Sequence, residues 1–263
     1  MNILEEVTNI LDLLYKHGWD ERNGGNLSML LSEREVLEVV KEIKITKTFH
    51  YDFDLDELVN KYFIITATSS YFKNMKSDPS SNLGILKVID KNTLGLVWGY
   101  TNGGKPTSEA PTHLKSHIER LKVDANSRVI IHCHPTNLIA MTHLVPISNK
   151  KYTEILWKMQ TESIVVFPEG VSILPWMVCG GEEIAIETAK LMKEYRSVIW
   201  TAHGIFASGN SLDETFGLIE TIEKAAIIYL KICDKKYFNV INNDNLIELA
   251  KAFNVNYRHG IID

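Results

Sequence analysis

Val129-Ile130-Ile131-His132-Cys133-His134 is an apolar run that ends in two histidines separated by one cysteine. It reads as a β-strand, in which alternate side chains share a face. His132 and His134 then point the same way, close enough for both imidazoles to reach one metal ion. Cys133 faces the opposite side and reads as a buried thiol. Two such histidines can equally be satisfied by backbone or solvent, so the rest of the chain must supply the context. It offers a further histidine, a carboxylate at a helix start and a polar glycine loop suited to an anion.

Around this strand, helix and strand patterns alternate. Strands are expected at Tyr62–Thr68, Gly84–Ile89, Leu94–Trp98, Val129–His134, Ser163–Phe167 and Val198–His203. Helices are expected at Glu5–Lys16, Pro111–Leu121, Glu182–Arg196, Leu212–Ile232 and Leu246–Phe253. Ser211-Leu212-Asp213-Glu214 forms a capping box that opens the Leu212 helix. The runs at 84–89 and 94–98 lie close enough to form a hairpin, so the sheet is not wholly parallel. No linker, repeat or low-complexity segment divides the chain. The expectation is one α/β domain over residues 1–263, in three layers, with a central mixed or mostly antiparallel sheet flanked by helices. Segment 31–60 is charged and lacks glycine. It is expected to be helical in pieces and to carry no chemistry.

The 263 residues carry a formal net charge of −5 and are 45% hydrophobic, enough for a packed core. Lysine and arginine are scattered, which leaves no basic patch for nucleic acid. No apolar run approaches the roughly 18 residues of a membrane helix. The segment Met1-Asn2-Ile3-Leu4-Glu5-Glu6 lacks the basic and apolar regions of a signal peptide. Three dispersed cysteines, at 133, 179 and 233, do not make a disulfide framework. A cytoplasmic protein without nucleic-acid or membrane partners is expected.

His203 ends the run Val198-Ile199-Trp200-Thr201-Ala202, and Gly204 lets the backbone turn beyond it. Three histidines around one open position form a catalytic zinc ligand set. Taken singly, His203 is also an ordinary strand-end residue. His113 and His117 share a helix face and could chelate as well. They are expected to be structural, because no carboxylate or turn chemistry converges on them. Gly103-Gly104-Lys105-Pro106-Thr107-Ser108-Glu109-Ala110-Pro111 leads into a helix that Thr107 or Ser108 can cap. Glu109 lies near the positive end of that helix dipole, which favours its ionised form. It can be a ligand, a base or a plain capping acid. The same helix start offers N–H groups and hydroxyls to a phosphate. Asn23-Gly24-Gly25-Asn26 is a tight turn that reads as an anion-binding concavity or as a hairpin turn. Thr66-Ala67-Thr68-Ser69-Ser70 is a hydroxyl-rich strand end. Glu162 stands just before an expected strand.

Six ordered motifs carry a resemblance. They are Gly-Trp-Asp-Glu-Arg-Asn-Gly-Gly-Asn (18–26), Pro-Thr-Ser-Glu (106–109), His-Cys-His-Pro-Thr-Asn (132–137), Val-Val-Phe-Pro-Glu-Gly-Val (165–171), Ile-Leu-Pro-Trp-Met-Val (173–178) and Ala-His-Gly-Ile-Phe (202–206). Together they resemble the class II aldolase/adducin family from about residue 10 to about residue 255. The resemblance implies one Zn²⁺ per subunit, held by His132, His134 and His203. It implies Glu109 as catalytic acid/base, and Glu162 as a second acid reaching the site of a neighbouring subunit in a homotetramer. It also implies phosphate binding by Asn23, Asn26, Thr107 and Ser108, with a hydroxyl from Thr68.

The implied reaction is retro-aldol cleavage of a phosphorylated ketose, L-rhamnulose 1-phosphate, to dihydroxyacetone phosphate and L-lactaldehyde. Stretches 173–178 and 212–221 favour that substrate over L-fuculose 1-phosphate. A related epimerase would be expected to carry aspartate at position 109. A noncatalytic adducin-like scaffold would be expected to have lost the histidines, and a metal hydrolase fits the same ligands. Two positions depart from the family pattern. A loop expected to read Thr-Gly-Ser-Gly is Thr66-Ala67-Thr68-Ser69, and His143 replaces an expected tyrosine.

Overall fold

The computed structural model describes residues 2–263. Its strands are β1 (Asn26–Leu31), β2 (Lys47–His50), β3 (Tyr62–Thr66), β4 (Leu83–Asp90), β5 (Thr93–Gly99), β6 (Val129–Cys133), β7 (Ser172–Leu174), β8 (Ser197–Trp200) and β9 (Gly204–Gly209). They form one nine-stranded sheet in the order β2-β5-β4-β3-β1-β6-β9-β8-β7. Every neighbouring pair is antiparallel except β7 and β8. The helices are α1 (Ile3–Lys16), α2 (Glu33–Leu37), α3 (Pro79–Asn82), α4 (Ala110–Val123), α5 (Thr136–Thr142), α6 (Asn149–Met159), α7 (Ser163–Val166), α8 (Glu182–Met192), α9 (Leu212–Ile232) and α10 (Asn243–Ala252). The mixed sheet flanked by helices is the architecture the sequence implies.

Strand alternation assigns the layers. Val129, Ile131 and Cys133 of β6 enter the main core, together with apolar residues of α1, α5, α6 and α9. Ile130 points the other way, into a smaller cluster with Ile184 and Met192 of α8. His132 shares the Ile130 face, and its ring stacks on Phe206 with centroids 4.4 Å apart. Cys133 is buried on the far side, as its register requires.

Four expected elements differ. Ser163–Val166 is a helical turn, not a strand. Val166 and Phe167 N–H donate to Glu162 O and Ser163 O at 2.9 and 3.0 Å. Its apolar residues satisfy burial against α6 and α9, and a run this short has no period to separate helix from strand. The 198–203 run stops as a strand at Trp200, and residues 201–203 turn tightly with Ala202 at φ 56°. The 182–196 helix ends at Met192. Within 31–60, α2 and a short 3-10 turn fit the helical expectation, but β2 adds an edge strand. Its side chains are mostly exposed and polar, with Phe49 alone half-buried, so no alternation reveals it.

Asp20 pins the loop beneath the site. Its Oδ2 accepts from Phe72 N–H at 3.0 Å, while Oδ1 is buried without a hydrogen-bond partner. Burial, reinforced by the charge of Glu21 and opposed by the Phe72 bond, pushes its pKa up to about 7. The folded carboxyl therefore keeps its proton above the pH at which the unfolded one loses it. Between about pH 4 and pH 7 the native state holds the extra proton, so stability falls as pH rises. Asp20→Asn removes that slope. Denaturant unfolding should show the variant gaining on wild type between pH 5 and pH 8, and an unchanged gap would contradict the assignment.

Candidate metal centre and active site

The end of β6 and the β8–β9 turn bring three imidazoles together. Ring centroids of His132, His134 and His203 lie 4.9–5.0 Å apart pairwise. His134 follows the strand and is tied by its N–H to Trp19 O at 2.9 Å. Two glycines make room for its ring. A Cβ at Gly24 would meet His134 Cε1 at 2.7 Å, and one at Gly204 would meet His134 Cδ2 at 2.8 Å.

The partners of these rings assign their tautomers. His132 Nδ1 lies 3.0 Å from Ile205 O, and His134 Nδ1 lies 2.8 Å from Glu21 Oε1. Both partners only accept, so each Nδ1 donates and each neutral imidazole keeps its lone pair on Nε2. Those two Nε2 atoms face each other at 3.2 Å. Burial, then the adjacent His134 and His203, holds the His132 pKa well below the usual histidine range. Burial and His134, opposed by Glu21, bring His203 down to about 4. Facing lone pairs repel unless a cation lies between them. Tetrahedral ligands at about 2.0–2.1 Å from zinc stand about 3.3 Å apart, so the spacing suits such an ion. Glu21 fixes the orientation of the His134 ring from its outer nitrogen, as a carboxylate behind a metal-binding histidine would.

Glu109 is the residue preceding α4, and its side chain makes no bond to its own helix. It turns into the cleft instead. Oε2 accepts from Asn26 Nδ2 at 2.7 Å and lies 3.5 Å from His132 Nε2. Burial pushes its pKa up to about 7, against the lowering effect of the Asn26 bond. Burial thus opposes the helix-dipole effect expected from the sequence and leaves the acid close to half ionised at neutral pH. Thr107 Oγ1 accepts from the Glu109 N–H at 3.3 Å.

These groups line a cleft of about 200 Å³. Nine of the ten residues singled out in the sequence lie along it: Asn23, Asn26, Thr68, Thr107, Ser108, Glu109, His132, His134 and His203. The tenth, Glu162, is exposed at the start of α7 and does not line the cleft of its own chain. His143 is exposed at the end of α5. Ser69 keeps the left-handed backbone that a glycine would favour, with φ 58°. His113 and His117 are fully buried on α4, outside the cleft lining. Sequence reasoning missed Glu21 and Cys179. Cys179 also lines the cleft, with Sγ within 4.8 Å of donor atoms of Glu109 and His203. Among the described residues, both groups of three metal-ligating side chains fall in this cleft.

The family model for the class II aldolase and adducin N-terminal domain matches residues 5–230. A protein named rhamnulose-1-phosphate aldolase from Listeria monocytogenes serotype 4a (strain HCC23) is 45% identical over 262 residues, covering 99% of this chain and 96% of the relative. Its namesake from Enterococcus faecalis (strain ATCC 700802 / V583) is 44% identical and covers 100% of this chain and 97% of its own. Among solved structures, a sugar-phosphate aldolase from Thermotoga maritima superposes with a TM-score of 0.76 at 28% identity, covering 90% of this chain and 97% of that one.

Proposed function

This chain belongs to the class II aldolase and adducin family, and on that premise we propose that it cleaves L-rhamnulose 1-phosphate to dihydroxyacetone phosphate and L-lactaldehyde. The observation that carries the reading is the convergence of three histidines on one point, with the Glu109 carboxyl beside His132. Near-full-length relatives that bear the rhamnulose name favour this sugar over its fuculose isomer.

His132, His134 and His203 would hold one Zn²⁺ per subunit, with His132 oriented by Ile205 O and His134 by Glu21. When bound there, zinc supplies Lewis-acid stabilisation of negative charge developing on substrate oxygens. Glu109 carries the proton of the reaction. In condensation it takes the proton from C3 of dihydroxyacetone phosphate; in cleavage the C4 hydroxyl proton passes to solvent as the C4 carbonyl forms, and Glu109 returns a proton to the electron pair left at C3. A carboxyl held near pKa 7 by burial can do both at neutral pH. Asn23, Thr68, Thr107 and Ser108 anchor the phosphate, which supplies binding energy remote from the reacting carbons. Asn26 joins them with one N–H of its amide, while the other bonds Glu109 and Oδ1 engages His113. Glu162, exposed on α7, is the second acid and acts in the cleft of a neighbouring copy within a homotetramer. The protein works in the cytoplasm, and no helix among the described residues is long and apolar enough to cross a membrane.

Dihydroxyacetone phosphate release from L-rhamnulose 1-phosphate and from L-fuculose 1-phosphate, with and without zinc, tests the assignment. The rhamnulose ester should be preferred by at least about tenfold in kcat/KM, equivalent to about 1.4 kcal/mol, and only with metal present. Equal or reversed preference would reject the substrate.

A further inference from the structure

Two histidines outside the metal set are fully buried, one turn apart on α4. Both reach Ser28 on β1, the strand between β3 and β6. Ser28 Oγ lies 2.7 Å from His113 Nδ1 and 2.8 Å from His117 Nε2. The other nitrogen of His113, Nε2, bonds Asn26 Oδ1. Asn26 stands opposite His132 in the β1–β6 register, and its Nδ2 donates to Glu109 Oε2 at 2.7 Å. An unbroken line of hydrogen bonds thus runs from His117 through Ser28, His113 and Asn26 to Glu109.

Counting protons gives this line a direction. Asn26 presents N–H to Glu109, so its Oδ1 must accept, and His113 Nε2 must carry a proton. Burial, and then His117, keep His113 neutral, which leaves its Nδ1 bare. Ser28 therefore donates its single proton to His113 Nδ1. Ser28 Oγ is left to accept, so His117 Nε2 donates to it. His117 Nδ1 ends the line as a bare acceptor, buried without a partner. The opposite polarity would need a proton between Asn26 Oδ1 and Glu109 Oε2, and would strand a buried N–H on His117. A buried donor without an acceptor is the rarer arrangement.

We propose that His113, Ser28 and His117 are positioning residues that lock the polarity of the Asn26 amide, so that an N–H always faces the Glu109 carboxyl. An isolated asparagine can turn its amide over. Here the turn would set NH₂ against the protonated Nε2 of His113 and aim an oxygen at Glu109. The edge contacts of His113 with Phe206 and of His117 with Phe63 fill space, but they do not require this donor pattern. The use of the lock rests on the reading of Glu109 as the acid/base.

Long-range ¹⁵N–¹H spectra of the full chain, labelled in histidine and recorded metal-free, test the line directly. His113 and His117 should both be protonated at Nε2 and bare at Nδ1, the reverse of His132 and His134. A His113 protonated at Nδ1 would overturn the proposal. In the zinc-loaded enzyme, His113→Leu should lower kcat about 10–100-fold with KM within about twofold, on the scale of other lost supporting hydrogen bonds. His113→Gln, which still offers N–H to Asn26, should recover most of it at equal zinc content. Equal losses in the two variants, or none in His113→Leu, would contradict the lock. Should His113→Leu fail to fold, Ser28→Ala cuts the line at its middle. It should leave His113 in mixed tautomers and lower kcat severalfold, and an unchanged spectrum would count against the proposal. A wild-type protein inactive on ketose phosphates but with the expected spectrum would overturn the role of Glu109 and leave the bond pattern standing.

Discussion

Replacing Glu109 by alanine should lower turnover at least about a hundredfold, the lower end of what a general acid–base contributes. That loss corresponds to about 2.7 kcal/mol of transition-state stabilisation. The same variant should keep its zinc, because His132 and His134 are oriented by Ile205 O and Glu21 and not by Glu109. Separation of the two effects is the point of the experiment. A carboxyl that only completed the ligand set would take metal with it when removed. A carboxyl that moves the C3 proton leaves the metal in place and removes the chemistry. The fold should tolerate the change, since a buried acid with a raised pKa weakens the native state as pH rises from the ordinary carboxylate value toward 7. Measured kcat and zinc content decide the matter, and near-normal turnover would remove Glu109 from the base role.

The second large effect is expected from His203→Ala. It deletes one of three ligands, leaving His132 and His134 unable to enclose the ion. Zinc content should drop well below one per subunit, and activity should fall with it. Stability offers a readout independent of turnover. A ligand that binds only the folded protein stabilises it by about 2.7 kcal/mol at a hundredfold excess over Kd. Added zinc should therefore raise the Tm of stripped wild-type protein and raise that of the variant much less. Full zinc occupancy in His203→Ala would refute the ligand assignment.

Much of this site was legible in the sequence because its key residues are ordered by short-range rules. Alternation along a strand puts His132 and His134 on one face and Cys133 on the other. A capping box and a 3.6-residue period locate α9 at Leu212–Ile232 without error. Three kinds of feature were not legible. Short apolar runs have no period, so Ser163–Val166 read as a strand, and the mostly exposed edge strand β2 showed no alternation. Burial competes with local charge effects, so the helix dipole at Glu109 did not reveal that its pKa is raised. Supporting contacts span long separations: Glu21 and His134 are 113 residues apart, and Ser28 and His113 are 85 apart. Nothing local marks such pairs. The histidines at 113 and 117 were readable as structural, but their line to Glu109 exists only once β1 lies between β3 and β6.

Crystals grown with zinc and measured at the zinc absorption edge address the central claim most directly. One anomalous peak per subunit should appear, bonded to Nε2 of His132, His134 and His203 at about 2.0–2.1 Å. Absence of a peak there under saturating zinc, with the three rings splayed apart, would contradict the account.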